Sequence, residues 1–234
     1  LVCPSKVADA KMKMYNLDGS EGKMCGNGIR CVGKFLYDHG MVDINEKDEI
    51  TIETLSGIKK LKAYTSGGKV NRLRVDMGKA ILDPKEIPVV LDGDKVVDRP
   101  VEIAGKNYNI TCVSMGNPHC VVFMDDIDNL DIETVGPEFE NDKLFPERVN
   151  TEFVTVLDDH TIKMRVWERG SGETWACGTG ACAVAVAACE NGFCKKGEDI
   201  KIKLKGGDLI INYTDETVYM TGNAEKVFEG EVEV

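Results

Sequence analysis

The sequence has 234 residues, of which 42% are hydrophobic and 29% are charged, a composition typical of a globular protein. The formal net charge is −11, and no cluster of Lys and Arg forms a cationic stripe, so we expect neither nucleic acid nor a membrane as a partner. No apolar run reaches the length of a membrane span, and the first residues do not resemble a signal peptide. The nine cysteines form an odd set, several within apolar helix-like runs, which predicts reduced thiols and a cytoplasmic location.

Two segments of the chain match each other without gaps. Residues 11–28 read KMKMYNLDGSEGKMCGNG, and residues 163–180 read KMRVWERGSGETWACGTG. A constant shift of 152 (163 − 11) places six identical residues opposite each other. These are Lys11, Met12, Glu21, Cys25, Gly26 and Gly28, opposite Lys163, Met164, Glu173, Cys177, Gly178 and Gly180. The match indicates an internal repeat.

The same order of elements follows each cysteine. After Cys25 the spacing predicts a helix that ends near Gly40. Its apolar face would comprise Ile29, Val32, Phe35 and Leu36. After Cys177 the sequence predicts a helix over residues 181–190, apolar nearly all round and therefore buried. Three strands are predicted after each helix, over residues 50–55, 58–64 and 70–77, and over residues 200–204, 209–213 and 217–220.

The repeat also predicts that the first half is incomplete. The second half has a segment over residues 111–152 ahead of Lys163, and its counterpart under the same shift would fall before residue 1. We therefore expect roughly forty residues of the first half to be missing and its sheet to be incomplete.

Cys25 and Cys177 each precede a Gly-Xaa-Gly at a predicted helix start. The first N–H groups of a helix lack internal partners and carry a partial positive charge, which stabilises a thiolate and predicts a lowered cysteine pKa. Two such helix starts would hold one carboxylate, with a thiol on each side. Inversion of a Cα–H centre needs a base on one face and an acid on the other, so the pattern favours epimerisation.

The other chemistries are less well supported by the residues. Cys25 and Cys31 are too far apart for a zinc site and the three histidines are scattered, so we expect no metal. A lysine that binds pyridoxal phosphate is not required by any motif, and we expect no cofactor. The remaining cysteines are predicted to be small buried core residues: Cys3, Cys31, Cys112, Cys120, Cys182, Cys189 and Cys194.

The motifs resemble those of the diaminopimelate epimerase family. Residues 16–31 (NLDGSEGKMCGNGIRC) resemble its first signature, and residues 168–180 (ERGSGETWACGTG) its second. Residues 114–120 (SMGNPHC) and 148–153 (RVNTEF) are also similar to family segments. The resemblance implies a homodimer that interconverts L,L- and meso-diaminopimelate without a cofactor, on the route to lysine and peptidoglycan. An earlier Gly-Asn-Asp-Phe-like stretch of the family, which supplies another substrate-binding Asn, has no counterpart in this sequence.

The resemblance also implies roles for individual residues. Cys25 and Cys177 would be the acid and the base, with His119 and Glu168 assisting them. Glu168 would also accept from a substrate ammonium. The residues implied to hold the reacting carboxylate are Gly26, Asn27, Gly178 and Thr179. The residues implied to hold the distal end of the substrate are Asn16, Asn117, Asn150 and Arg169. Arg suits a carboxylate and Asn suits a zwitterion.

Three alternatives remain open. A proline or hydroxyproline racemase-like enzyme shares the two-cysteine logic, but its first motif resembles Cys-Gly-His-Gly where this chain has Asn27, and its second has an Asp-Arg-Ser-Pro run in place of Glu168-Arg169. A non-catalytic amino-acid-binding fragment would explain a missing first segment. A redox protein would use the two cysteines as a disulfide.

The patterns predict an α+β fold of two pseudo-symmetric domains. Each would be a curved, mostly antiparallel sheet wrapped around a central helix, with the active site in the cleft between the domains. The first domain would comprise residues 1–77, completed by about 224–234, and the second would comprise residues 78–223.

Overall fold

The computed structural model describes residues 1–15, 19, 21–44 and 49–231. The chain forms two compact units, Leu1–Val75 with Thr221–Val234, and Asp76–Met220. The described residues form a mixed structure with a large, mostly antiparallel set of strands and three helices. The predicted α+β class is confirmed.

The first unit contains one helix and short strands at its start. Its elements are β1 (Val2–Cys3), β2 (Ala10–Met12), β3 (Met14–Tyr15), β4 (Glu21–Gly22), α1 (Gly26–Asp38), β5 (Ile50–Thr54), β6 (Gly57–Ser66) and β7 (Lys69–Gly78), which reaches past the unit boundary. The strands lie in the order β1-β2-β5-β6-β7, and β3 pairs with β4. Only β2 and β5 are parallel among these pairs. The C-terminal segment joins this unit, where the Ala224 N–H donates to the Asn71 carbonyl at 3.2 Å.

The second unit contains two helices. Its elements are β8 (Arg99–Ile103), β9 (Lys106–Ser114), β10 (Pro118–Phe123), α2 (Ile132–Glu140), β11 (Asn150–Asp158), β12 (Thr161–Glu168), β13 (Gly172–Thr174), α3 (Gly178–Glu190), β14 (Asp199–Leu204), β15 (Gly207–Tyr213) and the start of β16 (Val218–Asn223). The strands lie in the order β15-β14-β12-β11-β10-β9-β8, with β13 on β12. Helix α3 packs on β9, β10, β11, β14 and β15. Its Ala-rich sequence is buried on every side, which the absence of polar side chains through its centre permits.

The repeat is a structural one. Helices α1 and α3 each have 13 residues and begin 152 positions apart (178 − 26). The cross-strand pairs follow the same shift: Met14↔Gly22 corresponds to Val166↔Thr174, and Val2↔Met12 corresponds to Val154↔Met164. Equal register over strands and helix explains why the sequence match has no gaps, because a one-residue slip would turn every side chain to the other face.

The predicted apolar face of α1 is wrong at one position. Ile29 and Leu36 are buried, but Phe35 is 42% exposed and its ring lies 4.3 Å from that of His39. Helix α1 approaches the sheet at Gly33, where a Cβ atom would lie 2.6 Å from a methyl group of Leu73. Phe35 is about 200° further round the helix and therefore points away from the sheet.

The same geometry corrects the prediction that Cys31 is a buried core residue. Cys31 is exposed because it lies four residues before Phe35 on the outer face of α1. Cys3 and Cys189 are only partly buried, whereas Cys112, Cys120, Cys182 and Cys194 are buried as predicted.

Candidate active site

The two repeat cysteines occupy the same position in their units. Cys25 is the N-cap of α1, with φ −133° and ψ 116°, and its Sγ accepts from the Gly28 N–H at 3.3 Å. Cys177 is the N-cap of α3, with φ −122° and ψ 110°, and its Sγ accepts from the Gly180 N–H at 3.4 Å. In both units a sulfur atom takes the place of the oxygen that usually caps a helix. Each thiol is therefore next to the unpaired N–H groups of a first turn.

In the first unit, a buried arginine braces the start of α1. Arg30 donates from Nη1 to the carbonyl of Gly26 at 3.1 Å and from Nε to the carbonyl of Asn223 at 3.3 Å. Cys25 and Asn27 are partly exposed beside it. Asn16, expected to hold the distal end of a substrate, lies outside the described residues.

In the second unit, Cys177 is 6% exposed and its electrostatic surroundings oppose ionisation. Burial raises the pKa of the Cys177 thiol well above its ordinary value, and the carboxyl groups of Glu168 and Glu152 raise it further. Hydrogen bonds from Thr179 and Gly180 act in the opposite direction. The expectation of a lowered pKa is therefore wrong at Cys177, because desolvation outweighs the helix terminus. In the unliganded protein this group is a thiol, which can give a proton.

A chain of polar side chains leads away from Cys177. The Thr179 Oγ1 atom lies 3.5 Å from Cys177 Sγ and accepts from Asn117 Nδ2 at 3.4 Å. Asn117 Oδ1 lies 3.1 Å from His119 Nε2. His119 Nδ1 lies 2.7 Å from Glu152 Oε1. The structure thus brings Asn117, His119 and Thr179 together with Cys177, and connects His119 to the sulfur through Asn117 and Thr179.

Asn150 and Arg169 form a second group of hydrogen-bonded residues, near the start of β10. Asn150 is 3% exposed; its Nδ2 donates to the Pro118 carbonyl at 2.9 Å and its Oδ1 accepts from the Arg169 N–H at 3.1 Å. Arg169 Nη1 donates to the Glu147 carbonyl at 2.9 Å. Asn150 therefore ties the start of β10 to the loop that carries Arg169.

Glu168 lies at the end of β12. Its Oε1 accepts from the hydroxyl of Thr174 on β13 at 2.5 Å. Its carboxylate contributes to the raised pKa of Cys177. This predicted site residue therefore opposes ionisation of the thiol.

Two buried carboxyl groups were missed by the sequence analysis. Glu152 is 0% exposed. The sequence signal that could have identified it is a charged residue within the otherwise largely apolar strand β11. Glu140 on α2 accepts from the Gly170 N–H at 2.8 Å, from Trp167 Nε1 at 2.7 Å and from Arg148 at 3.0 Å. No local pattern marks Glu140, since its partners lie 8 to 30 positions away in the sequence.

In the described part of the chain, no group of three or more His, Cys, Asp or Glu side chains could hold a metal ion. Over the same residues, no helix combines the length and apolar character needed to cross a membrane.

The sequence matches the profile of the family named diaminopimelate epimerase over residues 1–82 and 111–227. The chain belongs to the diaminopimelate epimerase family. A diaminopimelate epimerase of Acetivibrio thermocellus is 53% identical over 236 residues, which cover 100% of this chain and 82% of the relative. One from Methanococcus maripaludis is 51% identical and is covered over 83% of its length. This is a family of isomerases, and the chain is an enzyme of that class.

The fold extends beyond the family. The crystal structure of a probable proline racemase from Agrobacterium radiobacter K84, with bound carbonate, matches 100% of this chain and 75% of its own with a TM-score of 0.77. Its sequence identity is 16%, so the likeness concerns the fold alone.

Proposed function

We propose that the chain interconverts L,L- and meso-diaminopimelate by moving a proton at Cα between Cys25 and Cys177. The observation that carries this proposal is an N-cap thiol with similar backbone angles and an equivalent Sγ···H–N hydrogen bond in each of the two units. The family membership supplies the substrate class. The two thiols, one from each repeat, would serve opposite faces of one Cα centre.

The chemistry follows from the groups at each helix start. One thiolate removes the Cα proton, and the electron pair left behind is shared with the adjacent carboxylate. The N–H groups of the first turns, at Gly26 and Asn27 and at Gly178 and Thr179, stabilise the charge that builds up there. The second thiol then delivers its proton to the opposite face. The two sulfur atoms exchange protonation states in each turnover, so the same site works in both directions.

The surroundings of Cys177 suggest its starting state. Because burial raises the pKa of its thiol, we propose that Cys177 is protonated before substrate binds and that it donates this proton to the substrate Cα. Glu168, which raises this pKa further, would accept from the substrate ammonium. This contact would neutralise the carboxylate and make Cys177 easier to ionise once substrate is bound.

The remaining residues would hold and recognise the unreactive end of the substrate. We assign this role to Asn117, Asn150 and Arg169, together with Asn16. Their support is the family resemblance and the placement of the first three around the start of β10. Asn150 and the Arg169 backbone bond to each other, so their contribution would be to orient this end of the site.

The resemblance also leads us to propose a cofactor-free reaction, a homodimer, and a role in making lysine and peptidoglycan precursors. All nine cysteines are free thiols, which supports a reducing compartment such as the cytoplasm.

The test is conversion of L,L-diaminopimelate to the meso form, followed by chiral chromatography, with proline and hydroxyproline as competing substrates. Cys25→Ala and Cys177→Ala should each reduce kcat at least about a hundredfold, since each removes one acid/base group. Cys31→Ala, which removes the exposed thiol of α1, is the matched control and should leave kcat unchanged. Faster turnover of proline than of diaminopimelate would contradict the proposal, as would an active enzyme lacking either N-cap thiol.

A further inference from the structure

The buried carboxyl group of Glu152 lies directly under the first turn of α3. A Cβ atom added at Gly180 would lie 2.5 Å from Glu152 Oε1, and the N–H of the same glycine donates to Cys177 Sγ. Glu152 Oε1 bonds to His119 Nδ1, while Oε2 is buried without a hydrogen-bond partner among the described residues. A buried acidic residue that uses only one oxygen needs an explanation beyond stability.

The hydrogen bonds that lead from Glu152 have a defined direction. An amide oxygen only accepts, so the 3.1 Å contact with Asn117 Oδ1 requires a proton on His119 Nε2. Asn117 then donates from Nδ2 to Thr179 Oγ1. Because that oxygen already accepts, the hydroxyl hydrogen of Thr179 is free to point at Cys177 Sγ, 3.5 Å away. Every donor in this series of hydrogen bonds, from His119 to Thr179, therefore points toward the Cys177 sulfur.

Glu152 is the group that fixes this direction. Whether it is ionised beside a doubly protonated imidazole, or neutral and donating to Nδ1, the proton on His119 Nε2 stays in place. Burial raises the pKa of the Glu152 carboxyl group, the neighbouring His119 lowers it, and Glu168 raises it. The thiols of Cys177 and Cys120 also interact electrostatically with this carboxyl group.

We propose that Glu152 is a positioning residue that holds the His119 ring with its Nε2 proton toward Asn117, and so directs the Thr179 hydroxyl to the Cys177 sulfur. Its consequence for catalysis rests on the proposed function, in which Cys177 transfers a proton. The hydrogen-bond chain itself is a property of the second unit and is testable without a substrate.

Two uncharged variants separate hydrogen bonding from charge. Glu152→Gln can donate to His119 Nδ1 and keep the Nε2 proton, whereas Glu152→Met has a similar length and no hydrogen-bonding group. Both variants lack the carboxylate charge, so they differ in whether residue 152 can form a hydrogen bond with the His119 ring. Thr151→Val is the matched control, because it changes the neighbouring buried residue of the same strand, whose Oγ1 has no hydrogen-bond partner among the described residues.

The measurement is the rate of iodoacetamide alkylation at Cys177, resolved by peptide mass spectrometry at a fixed pH, with the Cys25 peptide as internal reference. Alkylation of Cys177 should be about tenfold slower in Glu152→Met than in Glu152→Gln, the effect of one lost hydrogen bond to a charged atom. Alkylation of Cys25, and of both peptides in Thr151→Val, should match the wild type. Equal Cys177 rates in the two variants, or an equal change at Cys25, would overturn the proposal.

The state of His119 is read independently by ¹⁵N NMR of the three histidines. Wild type and Glu152→Gln should show a protonated Nε2, and a neutral ring protonated only at Nδ1 in the wild type would refute the assignment. In the epimerase assay, Glu152→Met should lower kcat relative to Glu152→Gln with little change in KM. If diaminopimelate is not a substrate, alkylation and NMR still decide the role of Glu152. If it is a substrate and the two variants have equal kcat, only the positioning role fails.

Discussion

The repeat supplies a paired test of how tightly each helix start is packed. Gly28 and Gly180 are equivalent under the 152-residue shift (180 − 28). A Cβ at Gly180 would lie 2.5 Å from Glu152 Oε1 and 3.3 Å from Cys177 Cβ. A Cβ at Gly28 would meet its nearest neighbours, the Cβ and Sγ of Cys25, at 3.5 Å, which is an ordinary contact.

Gly180→Ala should therefore destabilise the second unit, while Gly28→Ala should not destabilise the first. The new methyl group would push a fully buried carboxyl group by about 1 Å. Overpacking costs about 1–3 kcal/mol, and weakening the bond to His119 adds about 1 kcal/mol. The better helix propensity of Ala returns at most about 1 kcal/mol. The net loss is about 2 kcal/mol for Gly180→Ala, against a gain of up to about 1 kcal/mol for Gly28→Ala.

Native-state hydrogen exchange by mass spectrometry measures both effects, because it reports α1 and α3 separately. Amides of α3 should exchange about thirtyfold faster in Gly180→Ala, the equivalent of about 2 kcal/mol, with α1 unchanged. Equal protection of α3 in wild type and Gly180→Ala would refute the reasoning about Glu152.

Three further predictions follow from the structure. Alkylation of Cys177 should still rise about tenfold per pH unit near pH 9, because burial raises its pKa; a plateau at lower pH would contradict this. Gly136→Ala should destabilise the second unit by about 2–3 kcal/mol in urea unfolding, since a Cβ there overlaps the Trp167 ring; an unchanged midpoint would argue against the close packing of α2. Burial opposes ionisation of Glu173, but hydrogen bonds from Arg165 and Lys205 outweigh the effect of burial and lower the pKa of this carboxyl group. The ionised Glu173 should therefore stabilise the fold fully at a pH above the ordinary glutamate pKa, and this stabilisation should be lost as the pH falls through the lowered pKa of Glu173. The difference in free energy of unfolding between wild type and Glu173→Gln should thus become smaller on acidification.

The features that the sequence predicted are those encoded locally. The ungapped match around Cys25 and Cys177 predicted the repeat, because the cap, the two glycines and the helix lie within a few residues of each other. The strands after each helix were predicted by alternating apolar residues and the glycine turns between them. Helix α2 was not predicted, since its interior Pro137 disrupts the pattern that marks a helix.

The features that the sequence could not provide depend on distant contacts. Phe35 was placed in the core by its spacing, but the close approach at Gly33 decides which face of α1 meets the sheet. The direction of the pKa shift at Cys177 depends on burial and on carboxyl groups from β11 and β12. Glu152 and His119 lie 33 positions apart, so only the pairing of β10 with β11 brings them together.

The central claim is that two thiols act from opposite faces of one Cα centre. The most direct test follows deuterium from D₂O during the early turnover of L,L-diaminopimelate by the reduced enzyme, with Cys25→Ala and Cys177→Ala as controls. A two-base reaction predicts deuterium at the inverted Cα of the meso product, little deuterium in the recovered substrate, and loss of product in both variants. Deuterium entering the recovered substrate as fast as the product would show that one base serves both faces, and would contradict the account.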